Sequence, residues 1–315
     1  MPRRPPGEGR LIQLVYYGYV AGSALARALP ERFVYGVADA LGTLWARRAK
    51  KKRAVVARNL ARVTGEAPGP RLDSLVDDAF RSYARYWLET FRFVREGKEF
   101  FLERVRGKGE GNLDLARAEG RGVVVAVGHL GNWDAAGAWA AATGRKLVTV
   151  AEVLKPRRMF DFFVDHRSRL GMTIYGAERG VTDKLVDEVR DGAVIAILGD
   201  RDLKGTGPVV EFFGSPVPFP AGPASVALRA GVPLLVAGVW GITLPDGRRG
   251  WEADISGPIE IPGIEGMDSK AAIERLTQEV ATRMEELVAR KPEDWHVFQP
   301  FWPADKRPAR GTGGT

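Results

Sequence analysis

Apolar positions follow two rhythms along this 315-residue chain, and the change comes near residue 120. Before it, they recur at helical spacing. Leu11 to Ala26 runs sixteen residues without a charge, Glu31 to Ala49 continues after Pro30, and Leu72 to Phe91 is the clearest amphipathic stretch. In that third stretch Leu75, Val76, Ala79, Phe80, Tyr83, Tyr86, Trp87, Thr90 and Phe91 keep the i, i+3, i+4 pattern of one helix face. Its aromatic stripe reads as core packing, not as a ligand box.

From Gly122 the rhythm becomes short apolar runs separated by helical segments. Val123 to Val127 is continuous and β-branched, the mark of a strand buried on both faces. Strands are predicted over Lys146 to Ala151, Met172 to Tyr175, Ala193 to Leu198, Leu234 to Trp240 and Trp251 to Ile255. Helices are predicted over Trp133 to Ala142, Arg158 to Leu170, Thr182 to Arg190, Ala224 to Ala230 and Ser269 to Arg290. Such alternation implies βαβ units and an α/β fold, with a mostly parallel central sheet flanked by helices. The expected organisation is one domain over 11–302, helical and membrane-facing over 11–100 and α/β over 101–302. The tails at 1–10 and 303–315 are too rich in Pro, Gly and charge to fold alone.

Charge changes the picture at the N-terminal end. Lys and Arg number 47 against 39 Asp and Glu, a net charge of +8. Six of the cations stand together as Arg47, Arg48, Lys50, Lys51, Lys52 and Arg53. A spanning helix needs roughly 20 apolar residues, and Leu11 to Ala26 is shorter and carries Gln13, Gly18, Gly22 and Ser23. It lacks a clear cleavage site for a signal peptide. The segment reads as a buried or interfacial helix, with Tyr16, Tyr17 and Tyr19 suited to a headgroup boundary. The basic run beside it suits anionic lipid heads. No ribonucleoprotein motif or zinc finger supports nucleic acid as the partner.

Candidate chemistry is sparse. The absence of Cys removes disulfides, thiol nucleophiles and Cys-based zinc sites. No G-x-G-x-x-G follows a strand, no P-loop is present, and no G-x-S-x-G elbow exists. Three widely spaced histidines argue against a metal site. His166, beside Arg167, reads as a surface residue or one that supports the site from behind, and His296, between Trp295 and Val297, as a packing histidine. His129 differs, because it follows the buried strand 123–127, where open α/β sheets place ligands. In His129-Leu130-Gly131-Asn132-Trp133-Asp134, the turn brings a carboxylate five residues on, which pairs a base with its orienter. A His129/Asp134 dyad facing an open groove favours an enzyme; a split or blocked one favours a lipid-binding protein. Asp200 ends the strand 193–198 and falls at the same sheet edge if the two strands are neighbours.

These residues carry a resemblance. His129-x-x-x-x-Asp134 resembles the motif of glycerolipid and lipid A-type acyltransferases. HLGNWD, AEVLKP, FVDHRSRLG, GDRDLKGTG, FFGSPVPFPAGPA and DWHVFQPFW, with RNLARV and SYARYW, are most similar to the phosphatidylinositol mannoside acyltransferases. The resemblance covers nearly the whole chain and implies a glycerolipid acyltransferase-like fold. It implies acyl-CoA as donor, with an acyl carrier protein as the alternative carrier, a membrane glycolipid as acceptor, and no metal or cofactor. His129 would be the general base, Asp134 its motif carboxylate and Asp200 the relayed carboxylate, where those enzymes carry Glu. Glu152 and Arg167 would lie near the acceptor pocket, with Asn132 and Arg201 as further substrate contacts. Backbone amides of the Gly131 to Trp133 turn would meet the oxyanion. Apart from the resemblance, Lys155, Arg157, Arg158, Arg201 and Lys204 read either as contacts to phosphates or as solvated charges, and Phe212, Phe213 and Phe219 either as the lining of an acyl channel or as core and loop anchors. The Glu-Gly-Thr block of glycerophosphate acyltransferases is replaced by Pro220-Ala221-Gly222-Pro223, which disfavours a glycerophosphate acceptor. The rival acceptor is that of a lipid A-type enzyme. Peripheral attachment to the cytoplasmic face of the inner membrane follows from a lipid acceptor.

Overall fold

A computed structural model of the chain describes residues 10–28, 30–202 and 205–305, with side chains left out at 10–16 and 32. Four helices come first: α1 (Arg10–Ala28), α2 (Glu31–Arg48), α3 (Lys50–Thr64) and α4 (Pro70–Phe93). A short helix, α5 (Lys98–Arg104), leads into strand β1 (Val105–Lys108). The body then alternates: β2 (Val123–Val127), α6 (Trp133–Ala142), β3 (Leu147–Ala151), α7 (Arg157–Arg169), β4 (Met172–Gly176), α8 (Val181–Arg190) and β5 (Val194–Leu198). A hairpin of β6 (Val209–Phe212) and β7 (Ser215–Pro218) follows, then α9 (Gly222–Ala230), β8 (Leu234–Thr243), β9 (Arg249–Ile255) and α10 (Ser269–Arg290).

The main sheet has seven strands in the order β1-β9-β8-β2-β5-β3-β4, parallel except where β8 meets β9. Its centre is hydrophobic on both faces because β2 and β5 place consecutive apolar residues on opposite sides. Val124, Ala126 and Ile195 join a core under α8, α9 and α10. Val123, Val125 and Val194 join a second core with α6. Each fully buried Val or Ile contributes about 1.5–3 kcal/mol. The two cores therefore fix the register in which β2 and β5 pair, Val127 opposite Leu198.

The helical N-terminal region docks on the body through α4 and the C-terminal segment. Asn59 donates from Nδ2 to the carbonyls of Val297 and Gln299, each at 3.0 Å. The Trp45 ring stacks on Phe298 with centroids 5.1 Å apart. Buried Glu89 of α4 accepts from Asn132, Trp251 and Arg249 at 2.9, 3.1 and 3.2 Å.

Several expectations change. The basic run is shared between two helices, Arg47 and Arg48 ending α2 and Lys50 to Arg53 opening α3. Residues 209–218, rich in proline and predicted above as neither strand nor helix, form the β6–β7 hairpin, a two-stranded sheet apart from the main one, where prolines remove no ladder bond from the central strands. Phe212 and Phe219 are buried in a core with Trp295, Phe301 and Trp302. They do not line an acyl channel. Tyr19 packs edge-on against Trp87, Phe91 and Phe163 at 5.3–5.9 Å and is no headgroup anchor. Arg10 already belongs to α1, and Pro303–Asp305 form a turn of 3-10 helix. The rest of both predicted tails, Lys204 and the side chain of Tyr16 lie outside the described residues.

Candidate active site

Because β2 and β5 are parallel neighbours in register, the residues two places beyond each strand, His129 and Asp200, emerge together. Asp200 is fully buried. Its Oδ1 lies 2.5 Å from His129 Nδ1, and its Oδ2 accepts from the His129 amide at 3.0 Å and the Trp295 indole at 2.9 Å. Burial pushes the Asp200 carboxyl up, but the charge and hydrogen bonds of His129 and the Trp295 indole outweigh it, and the net direction is down. An ionised carboxylate only accepts, so the His129 Nδ1 carries the proton of that contact. Nε2 is left as the ring's proton acceptor.

Asp134 takes a different partner. Its carboxylate is 2.7 Å from Arg167 Nε, and Tyr86 donates to it at 3.3 Å. Burial raises the Asp134 carboxyl and the Arg167 guanidinium more than reverses it. The His129/Asp134 dyad read from the motif is therefore split, and Asp200 takes the orienting place. The reason is local. Asp134 stands in the first turn of α6 facing α7, where Arg167 ends the helix.

Two further assignments change. Asn132 is 1% exposed, caps α6 by accepting from the Ala135 amide at 3.2 Å, and donates to Glu89. It builds the turn and is not a substrate contact. The Gly131 amide donates to the Asp294 carbonyl at 2.8 Å, which withdraws it from the oxyanion candidates and leaves the amides of Asn132 and Trp133. Gly131 is needed there: its φ is +52° and a Cβ would collide with the carbonyl of Val239.

His129 opens on a cavity of 340 Å³ lined by Tyr83, Tyr86 and Trp87 of α4, by α6, and by one face of the sheet from β4 to β9. That volume lies within the ~300–1,000 Å³ of ligand pockets. The wall is mostly apolar. Its polar members include His129, Asp134, Glu152, Arg167, Arg201 and His296. Glu152 and Arg201 are thus brought to the site as expected, and Arg167 reaches it already paired. With its amide oxygen turned inward, Gln299 accepts from Arg201 at 2.9 and 3.0 Å. The α4 stripe read as core is divided: Val76, Ala79 and Phe80 are buried in packing, and Tyr83, Tyr86 and Trp87 face the cavity. Arg157 pairs with Asp161 and Glu178, and the Arg158 guanidinium lies 5.6 Å from the Tyr17 ring. His166 is buried, and desolvation lowers it.

Sequence reasoning missed Trp295 as the second anchor of Asp200, and it missed a buried chain of Asp294, Ser82 and His296. Both lie in blocks quoted above, DWHVFQPFW and SYARYW, but nothing in their spacing tells a site residue from a packed one. Among the described residues no group of acidic or histidine side chains is arranged to hold a metal ion.

Comparison with known proteins agrees with this architecture. The sequence pattern of the family described as bacterial lipid A biosynthesis acyltransferase matches residues 7–303. The phosphatidylinositol mannoside acyltransferase of Mycobacterium tuberculosis (strain CDC 1551 / Oshkosh) is 36% identical over 300 residues, covering 93% of this chain and 90% of that protein. Its namesake from Mycolicibacterium smegmatis is 35% identical over 296 residues, covering 93% of both. With the match spanning the helical region, the sheet and the His129 turn alike, the chain belongs to the bacterial lipid A biosynthesis acyltransferase family.

Proposed function

We propose that this acyltransferase moves a fatty acyl chain from acyl-CoA to a sugar hydroxyl of a phosphatidylinositol mannoside, with His129 as general base. The observation that carries the reading is the buried Asp200 on His129 Nδ1 at the mouth of an apolar cavity. A ring so held keeps Nε2 for a hydroxyl proton. The hydroxyl oxygen attacks the thioester carbonyl as its proton passes to Nε2, and Asp200 favours the imidazolium that forms. The tetrahedral intermediate then expels CoA as thiolate, which takes that proton back. A positioned base contributes about 10²–10⁴-fold, and alignment of the two substrates supplies much of the rest. The apolar wall suits the acyl chain, and Glu152, Arg167 and Arg201 are the polar groups available to the acceptor head. The sugar acceptor is taken from the names of the relatives. The split His129/Asp134 dyad counts towards a lipid-binding protein, but a lipid carrier would have no use for the buried Asp200 carboxylate held against the His129 ring, and that contact favours the enzyme. Purified protein with acyl-CoA and a panel of glycolipids, analysed by mass spectrometry, should yield a sugar ester of the mannoside. Acylation of a lipid A precursor instead would replace the acceptor, and no acyl transfer to any lipid would overturn the reading.

The same proposal places the protein peripherally on the cytoplasmic face of the membrane. Among the described residues no helix is long and apolar enough to cross it. On α2, Phe33, Leu41 and Leu44 are 45–51% exposed, and at 3.6 residues per turn they share an arc of about 120° with Arg47 and Arg48. Lys50 and Lys51 continue the charge, whereas Arg53 is paired with Asp73 and Asp77 and Lys52 donates to the Phe298 carbonyl. Apolar insertion plus basic charge is the two-signal arrangement that holds peripheral proteins. Replacing Arg47, Arg48, Lys50 and Lys51 by Gln should weaken flotation with anionic liposomes by about 1 kcal/mol per charge. Equal binding of wild type to anionic and neutral vesicles would remove the electrostatic half.

A further inference from the structure

Below the cavity mouth lies a polar chain that the proposed reaction does not use. The Ser82 hydroxyl is 2.5 Å from Asp294 Oδ1 and 3.0 Å from His296 Nε2. Asp294 Oδ2 is 2.8 Å from the Lys291 ammonium. Ser82, Asp294 and His296 are 7%, 3% and 3% exposed, in that order. The order is wrong for a nucleophilic triad, since the carboxylate binds the serine and not the imidazole.

That order fixes every proton in the chain. An Asp294 paired with Lys291 is ionised and can only accept, so the Ser82 proton points to it. The Ser82 oxygen must then accept from His296, which puts the imidazole proton on Nε2. Desolvation pushes His296 down to about 4, so the ring is neutral at ordinary pH. Its other nitrogen, Nδ1, is therefore a lone-pair acceptor. It is buried and finds no partner among the described residues. A buried acceptor left unsatisfied costs about 1–3 kcal/mol.

The ring lines the same cavity as His129. Its amide donates to the His129 carbonyl at 2.8 Å. Tyr83 and Tyr86 pack on it at 5.1 and 5.6 Å, and Trp133, which also packs on His129, lies at 6.1 Å. Phosphates, thioester carbonyls and carboxylates have no proton to offer an acceptor nitrogen. A hydroxyl or an amide N–H does.

From this geometry we infer that His296 is a positioning residue for the acyl acceptor, its Nδ1 taking a hydrogen bond from a hydroxyl next to the one that His129 deprotonates. The inference rests on the hydroxyl-acceptor reading above. A sugar offers neighbouring hydroxyls on adjacent carbons, so one ring can meet both histidines at once. The pantetheine amides of the donor are the other source of such a proton, and the test separates the two.

Two measurements decide it. With only three histidines in the chain, ¹⁵N-histidine labelling of the full protein resolves His296, assigned through His296→Phe. The free protein should show Nε2 protonated and Nδ1 bare, and the mannoside glycolipid in micelles should move the Nδ1 resonance where acyl-CoA does not. A protonated Nδ1, or a resonance that moves with acyl-CoA alone, overturns the proposal. In kinetics, His296→Phe should raise KM for the glycolipid about tenfold or more, the value of one buried hydrogen bond, and leave KM for acyl-CoA nearly unchanged. His296→Asn, which returns an acceptor atom close to the Nδ1 position, should recover part of the loss. Unchanged glycolipid KM in a folded His296→Phe enzyme, with wild type active, overturns the role of His296 alone. A wild type that transfers nothing to the glycolipid overturns the acceptor reading itself. If the His296 variants fail to fold, through-bond assignment of the three histidines in the wild-type protein identifies the His296 resonance, and that resonance still decides.

Discussion

Two buried aspartates flank the His129 turn, and their partners give them opposite capacities. Asp200 meets an imidazole, and Asp134 meets a guanidinium. Both are buried, and in both the partner overcomes the burial that would raise the carboxyl. A guanidinium never releases its proton under working conditions. Asp134 therefore stays neutralised whatever happens in the cavity, and its work is to lock α6 to α7 and hold Arg167 in the wall. An imidazole gains and loses a proton within one reaction cycle. Asp200 can respond to that change, because its attraction for the ring strengthens when the ring becomes charged. On the proposed reaction, a carboxylate is made catalytic by what it faces, not by its place in a motif.

The largest expected effect comes from removing the ring. His129→Ala should cut acyl transfer by about 10²–10⁴-fold with circular dichroism and vesicle binding unchanged. A folded variant retaining activity within about tenfold of wild type would exclude His129 as the base. Asp200→Asn comes next. It keeps the size but removes the charge, and its amide can reverse the tautomer of His129. kcat should fall by about 10²-fold or more with little change in KM. Were KM alone to move, Asp200 would belong to substrate positioning and the contrast with Asp134 would collapse.

Asp134→Asn should show the reverse profile. It leaves the buried Arg167 charge without its counter-ion, and breaking such a pair costs about 3–5 kcal/mol of stability. Because Arg167 lines the cavity, KM should rise while kcat stays within about tenfold. Replacing both Asp134 and Arg167 by neutral residues should recover part of the stability that the single change loses, measured by urea unfolding. A kcat loss matching that of Asp200→Asn, without loss of stability, would return Asp134 to the catalytic group.

The sequence made half of this contrast legible. Buried parallel strands read as unbroken apolar runs, so the ends of β2 and β5 could be placed at one sheet edge with His129 and Asp200 on them. What the spacing could not reveal is which carboxylate reaches the ring. Asp134 follows His129 by five residues, but its partner Arg167 lies 33 residues further on and arrives with α7. Trp295 reaches Asp200 across 95 residues. The cavity was hidden for a related reason. On α4, Phe80 packs in a core and Tyr86 walls the cavity, and helical periodicity assigns both to the apolar side. The β6–β7 hairpin was masked by Pro216 and Pro218, since proline argues against a central strand and is silent about an isolated hairpin.

Acid stability gives the last and smallest expected effect, and it separates the aspartates from the histidine beside them. Burial lowers His296 from 6.5 to about 4. A depressed group stabilises the fold above its unfolded value, and that contribution is lost as pH falls towards the folded value. Between pH 6.5 and 4 the unfolded chain therefore takes up a proton that folded His296 refuses, and stability should decline by about 3 kcal/mol. The aspartates act in a lower window. Both lie below their ordinary 3.8, so their contribution is intact above that value and disappears as the pH drops through their folded values. Urea unfolding of wild type from pH 7 to 3.5 should thus show a decline that begins well above the carboxylate range. His296→Phe should flatten part of this upper stretch, the remainder belonging to buried His166, which desolvation also lowers, and Asp134→Asn should leave the His296 share of the slope unchanged while lowering the whole curve. If Asp134→Asn flattened the stretch between pH 6.5 and 4 as much as His296→Phe does, Asp134 would be titrating there. It would then not be locked by Arg167, and the division of labour between the two aspartates would fail.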